Sequence, residues 1–164
     1  MLSVAELLRK TFERAVKLLA AKPRSVAELR ERLLRGNKTN EEVVETVISR
    51  LREYGYLNDE HFAFCYASYK VKQKPVGRRR LERDLKLKKV DTSVANEALE
   101  MVYAETSEEQ LIEEAIAKRL RIRGKPKNRA EAKSLFDHLL RRGFAFELVS
   151  EKVRSLATDY ADED

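Results

Sequence analysis

Glycine, proline, cysteine and histidine are scarce in this chain, and tryptophan is missing. Five glycines and three prolines in 164 residues leave little material for long loops or a many-turned β fold. The single thiol, Cys65, cannot close an internal disulfide and fits a reducing cytoplasm. It falls on an apolar helical face with Phe62, Tyr66 and Tyr69, which predicts an inert, buried cysteine. No stretch reaches the ~18 apolar residues of a membrane span. The opening "MLSVAELLRKTFERAV" mixes charges into its apolar pattern and lacks the apolar block of a secretory signal. A cytoplasmic protein without membrane contact is expected.

The same scarcity argues against catalysis. A zinc centre wants three or four N/S ligands at close spacing, which Cys65, His61 and His138 do not supply. "PVGRRRL" and "RIRGKPKN" hold one glycine each and match no phosphate-binding loop. Acid pairs such as Glu41-Glu42, Glu108-Glu109 and Glu113-Glu114 sit at helix starts or on exposed faces, where electrostatics favours them. No nucleophile–base constellation can be assembled. The expectation is a non-enzyme with no cofactor and no metal.

What the chain does have is helical periodicity with caps. Val4, Leu7, Leu8, Phe12, Ala15, Val16 and Leu19 mark one face, opened by Ser3 with Glu6 and closed by Pro23. Ser25 with Glu28 opens a second helix that Gly36 stops, and Thr39 with Glu42 a third that ends at Gly55. Asn58 caps a fourth. Pro75-Val76-Gly77 precedes "RRRLERDLKLKK", and Asp91 precedes another helix. Ser107 with Gln110, Asn128, and the segment after Gly143 begin the last three. Nine short helices result.

They repeat. Leu29, Leu81 and Leu135 are spaced by 52 and then 54 residues, and so are Leu33, Leu85 and Leu139. Val43/Ala95/Val149 and Val47/Leu99/Val153 keep those offsets, with Leu51/Tyr103/Ala157 a less regular fifth column. The reading is all-α, with three tandem three-helix repeats at 1–57, 58–106 and 107–157 and a disordered acidic tail at 158–164. "YGYLND" is then an inter-repeat joint: Gly55 supplies the left-handed turn, Tyr56 and Leu57 plug the seam, and Asn58 caps the next helix.

Charge is banded as well. Residues 70–90 carry ten Lys/Arg against Glu82 and Asp84; residues 91–114 carry eight acids and no base. Residues 117–142 again hold ten bases against Glu131 and Asp137. The candidate contacts of the first zone are Lys70, Lys72, Lys74, Arg78, Arg79, Arg80, Arg83, Lys86, Lys88 and Lys89. Helical spacing puts Arg79, Arg83 and Lys86 on one stripe opposite Leu81 and Leu85. Those of the second are Lys118, Arg119, Arg121, Arg123, Lys125, Lys127, Arg141 and Arg142. Such zones suit phosphates or an acidic protein surface. A helix-turn-helix reader within 25–52 fits less well, because "EEVVETVISRL" would meet DNA with its acidic end.

"YGYLNDEHFAFCYA", "PVGRRRLERDLKLKKVDTSVANEAL" and "HLLRRGFAFELVSEKV" together resemble the RecX family of bacterial recombination regulators, from about Leu51 to Val153. One departure is Lys88-Lys89-Val90, where the family pattern has Lys-Gly-Ile, which bears on the shape of that turn. The resemblance implies an elongated, curved, right- or left-handed array of three-helix repeats. It also implies binding to the RecA nucleoprotein filament; weak binding of single- or double-stranded DNA is expected beside it, and a monomer is expected because nothing in the sequence demands a dimer. Inhibition of the RecA ATPase, strand exchange and co-protease activities would follow from occupancy. A sequence-nonspecific DNA-binding module acting without RecA is the alternative reading.

Overall fold

The computed structural model describes residues 1–36 and 38–161, with side chains up to Ala157. Among them are nine helices: α1 (Val4–Ala21), α2 (Val26–Leu34), α3 (Glu41–Glu53), α4 (Asp59–Gln73), α5 (Arg78–Leu87), α6 (Thr92–Glu105), α7 (Glu108–Arg123), α8 (Arg129–Arg141) and α9 (Phe146–Ala161). No strand occurs among the described residues. The expected tail is helical over 158–161, and residues 162–164 lie outside the described residues.

Local chemistry starts most helices where the sequence suggests. Ser3, Ser25, Ser107 and Asn128 each accept the amide three residues on, satisfying a donor that the first turn leaves unpaired. Asn58 does the same for His61, at 3.0 Å. One cap differs from expectation. Asn40, not Thr39, opens α3 by accepting from Val43 at 2.9 Å. The Thr39 hydroxyl instead takes the hydrogen bond of buried Thr11 at 3.0 Å.

Two compact units emerge, Met1–Ala63 with Leu85–Ala95, and Phe64–Asp84 with Asn96 onward. In the first, α1, α2 and α3 pack around Ala15, Val26, Leu29, Leu33, Val43, Val44, Val47, Ile48, Leu51 and Leu57. A buried Leu of this kind contributes about 1.5–3 kcal/mol. Arg14 covers the end of α2, its guanidinium donating to the carbonyls of Leu33 and Arg32 at 3.1 and 3.0 Å. Fully buried Ser25 joins distant segments: its hydroxyl donates to the Lys88 carbonyl at 2.6 Å while accepting from the Glu28 amide. Beside it the Asp59 carboxylate accepts the Val26 amide at 2.9 Å.

In the second unit α7, α8 and α9 pack on Leu111, Ile112, Ala115, Ile116, Leu135, Leu139, Phe144, Val149 and Val153. The start of α5 meets the end of α8 backbone to backbone. The Gly77 amide donates to the Arg142 carbonyl at 2.9 Å, and the Arg79 amide to the Gly143 carbonyl at 3.2 Å. A Cβ on Gly77 would lie 2.2 Å from the Gly143 carbonyl carbon, and one on Gly143 would lie 2.3 Å from the Arg80 Cβ. Only glycines permit this approach.

The repeat columns are core positions. All twelve residues of the first four columns are buried, whereas Tyr103 and Ala157 of the fifth are half-buried. A repeated turn accompanies them. After α3, the Tyr56 and Leu57 amides return to the Leu51 carbonyl past Gly55 at φ 77°. After α8, Phe144 returns to Leu139 past Gly143 at φ 91°. After α5, Val90 returns to Leu85 past Lys89, whose φ is 57°. The Lys-Lys-Val departure therefore keeps the left-handed turn and places a side chain where glycine is easier. At the first joint Leu57 is in the core, but Tyr56 is exposed and stacks edge-on against Tyr54.

Cys65 corrects an expectation. The buried stripe of α4 is Phe62, Ala63, Ala67 and Val71, so Cys65 faces the other way and is exposed, as is Tyr69. Aromatic residues lie all round this helix, and the alanines, which allow close approach of neighbours, decide which face turns inward.

Candidate functional site

Among the described residues no three or more His, Cys, Asp or Glu side chains group as a metal site would require, and no helix is long and apolar enough to cross a membrane. The basic zones are the remaining feature, and the fold divides their members into two sets.

One set serves the fold. Arg78 pairs with Glu82 at 3.0 Å on α5, while its amide donates to the Glu108 carboxylate. Arg80 reaches Asp84 at 3.4 Å and the Arg141 carbonyl at 3.5 Å. Lys88 lies 3.4 Å from Glu28 and Lys89 2.8 Å from Glu31, so both tie to α2. Arg142 turns inward, and its Nε and one terminal nitrogen both donate to the Pro75 carbonyl. Lys70 sits over the Tyr66 ring, 5.5 Å from its centroid. Tyr66 in turn donates to Asp84 at 3.2 Å.

The other set faces solvent. Arg79, Arg83 and Lys86 are exposed on α5 and have no acid partner among the described residues, with Leu81 and Leu85 fully buried on the opposite face. Lys72, Lys74, Lys118, Arg121, Arg123, Lys127 and Arg141 are exposed in the same way, and Lys125 is exposed in the α7–α8 loop. The acidic band is partly engaged inside the second unit. Lys152 bridges Glu109 and Glu113 at 3.3 and 2.9 Å. Glu97, Glu100, Glu105 and Glu114 stay exposed.

Tyr103 belongs to the scaffold. Its hydroxyl donates to the Val76 carbonyl at 2.9 Å, and burial, then the Glu108 carboxylate, push its ionisation well above the ordinary tyrosine range. That hydrogen bond fixes the segment entering α5.

Within the second unit the two zones converge. Lys74 from the α4–α5 connection, Lys118 and Arg119 from α7, and His138 and Arg142 from α8 line one cavity of about 190 Å³. Pro75, Ala115 and Ile122 complete its walls, and no carboxylate lines it. The crowding is felt electrostatically. Burial lowers the His138 pKa from its usual 6.5, and Arg119, Arg141, Arg142 and Arg123 lower it further. Burial and the charges of Arg123 and Arg141 likewise press on Arg119. His138, which a sequence reading sets aside with the metal question, belongs to this surface. The only sequence signal is its place in the helix ending at Arg141-Arg142.

Comparison with known proteins agrees with this architecture. Residues 12–51 match the family model described as RecX, first three-helix domain, and residues 58–99 the one described as RecX, second three-helix domain. The regulatory protein RecX of Amycolatopsis mediterranei is 31% identical over 94% of this chain and 89% of its own length. The RecX of Bacillus licheniformis is 29% identical and that of Bacillus velezensis 33%, each over 96% of this chain. This chain spans 58% of the length of those two Bacillus proteins. The crystal structure of RecX from Lactobacillus salivarius shares the fold, with a TM-score of 0.80 and 19% identity over 94% of this chain and 99% of that one. Family models over its first two three-helix segments and a relative 31% identical over 89% of its own length place the chain in the RecX family of regulatory proteins.

Proposed function

We propose that this protein is a non-catalytic cytoplasmic regulator of homologous recombination that binds the RecA–DNA filament. It restrains RecA's ATPase, strand-exchange and co-protease activities by occupancy. Three tandem repeats of three helices, at 1–57, 58–106 and 107–157, carry the surface, and the protein acts as a monomer. Family membership supports the target, and the exposed cations without acid partners support the mode of contact. Arg79, Arg83 and Lys86 on α5, with Lys118, Arg121, Arg123 and Arg141, are the contacting residues. Arg78, Arg80, Lys88, Lys89 and Arg142 hold the fold instead.

The test is DNA-dependent ATP hydrolysis by RecA with this protein titrated in, beside naked single-stranded DNA binding at matched salt. Inhibition at protein levels well below those of RecA, with weak naked-DNA binding, is the expected result. A loss of hydrolysis that merely tracks DNA coverage refutes it and favours the sequence-nonspecific DNA-binding reading, which the carboxylate-free cavity also suits. Arg79→Glu with Arg83→Glu separates the surfaces. Neither residue makes an ion pair among the described residues, so the double reversal changes the surface and leaves the fold intact.

A further inference from the structure

Several cations of this chain are set directly against acids. Lys88 has Glu28, Lys152 has two glutamates, and Arg78 has Glu82. The cavity between α7, α8 and the α4–α5 connection is built differently. Exposed Lys74 and Lys118 and half-buried Arg119 and Arg142 line it with His138, and no carboxylate is among the lining residues. Like charges held together in the folded state oppose folding unless an anion joins them. At about 190 Å³ the space is below the usual range for small-molecule pockets and has room for a phosphate group. Ammonium and guanidinium groups from three chain segments suit an oxyanion with several free oxygens. Arg119 also lines a second concavity of about 260 Å³ with Arg123 and Gly124, where Glu131 is the one acid of the lining, so the two cavities share a cation between them.

We propose that this cavity seats a backbone phosphate of single-stranded nucleic acid, with Lys74, Lys118 and Arg119 as its cationic wall and His138 as a hydrogen-bond donor to it, while Arg142, held by the Pro75 carbonyl, adds its charge from behind. An anion beside the imidazole favours its charged form and opposes the surrounding arginines, so His138 takes up a proton as the site fills. Binding then tightens as pH falls. The groups that face His138 are Lys74, Lys118, Arg119, Arg123, Arg141 and Arg142, all cations, so no carboxylate competes for that proton. The proposal rests on the regulatory reading only for the source of the phosphate, the DNA of the filament.

The test needs no partner protein. The chain has two histidines, so both imidazoles can be followed by NMR through a pH titration, alone and with a thymidine oligonucleotide, inorganic phosphate, or a polyglutamate peptide. The oligonucleotide should raise the His138 pKa and leave that of His61 in place. Lys118→Gln with Arg119→Gln should weaken oligonucleotide binding roughly tenfold and reduce the salt slope by about 1. Lys118→Gln alone, at an exposed position, should move both in the same direction, and Lys17→Gln on α1 should change neither. An unresponsive His138, or full affinity in the double variant, overturns the proposal. A polyglutamate response equal to that of the oligonucleotide assigns the cavity to an acidic protein surface instead. Saturation by inorganic phosphate that the oligonucleotide cannot compete away assigns it to the free anion. With no RecA present, these failures touch the phosphate site alone, whereas a failed ATPase titration touches only the regulatory reading.

Discussion

The contact between Gly77 and Gly143 makes a sharp stability prediction, because three glycines separate two kinds of constraint. Gly55 has φ 77° and nothing within 4 Å of the place a Cβ would take, so Gly55→Ala meets conformational strain alone. That costs roughly 1–2 kcal/mol. Gly77 has an ordinary φ, so alanine there should even gain ~0.4–1 kcal/mol by stiffening the unfolded chain. Its new Cβ, however, would sit 2.2–2.3 Å from the Gly143 carbonyl and the Phe144 nitrogen, where ordinary contact begins at 3.4 Å. All three atoms are backbone and cannot rotate aside. The segments must part by about 1 Å, loosening the packing and the bonds Gly77 N–H to Arg142 and Arg79 N–H to Gly143. Each bond contributes about 1 kcal/mol net and more if its groups are left buried and unpaired. With the overpacking cost, Gly77→Ala should lose about 3 kcal/mol or more. Gly143→Ala should lose at least as much, since strain at φ 91° adds to its clash with Arg80. Urea unfolding followed by far-UV circular dichroism measures all three. Equal losses for Gly55→Ala and Gly77→Ala would refute the close-approach reasoning, and a stabilised Gly77→Ala would refute it outright.

Lys89→Gly should leave stability unchanged or raise it by up to about 1 kcal/mol, since relief of a left-handed lysine exceeds the added chain entropy and the exposed pair with Glu31 adds little. A drop in the urea midpoint with an unchanged slope would count against that turn. Ser25→Ala should cost about 2 kcal/mol, the loss of a helix cap plus an unpaired buried Lys88 carbonyl, read in the same assay. His138 ties stability to pH. Its folded pKa lies below the unfolded value of about 6.5, so its contribution is full above that pH and is lost as pH falls toward the folded value. Thermal melts from about pH 8 to pH 5 should show a decline that His138→Gln makes shallower.

Much of the fold is legible in the sequence because it is decided within a few residues. A serine or asparagine beside a helix start accepts the amide three residues on whatever lies elsewhere, and the caps at Ser3, Ser25, Asn58, Ser107 and Asn128 follow. The columns spaced by 52 and 54 residues are visible because burial of one helical face imposes a periodic apolar pattern, and four of the five columns are core. Cys65 shows the limit of that logic. When apolar and aromatic residues surround a helix, periodicity leaves several faces open, and only packing against neighbours selects the one bearing Ala63 and Ala67.

By itself, then, the sequence determined helix positions, caps, the repeat and two basic zones, all matters of local backbone chemistry and composition. Tertiary structure alone decided what each cation does. Arg142 is drawn to the Pro75 carbonyl 67 residues away, and Lys88 to Glu28 across 60. The gathering of Lys74 with Lys118, Arg119, His138 and Arg142 was settled there too. Coulomb energy depends on distance in space, and residues far apart in the chain acquire that distance only when the helices pack.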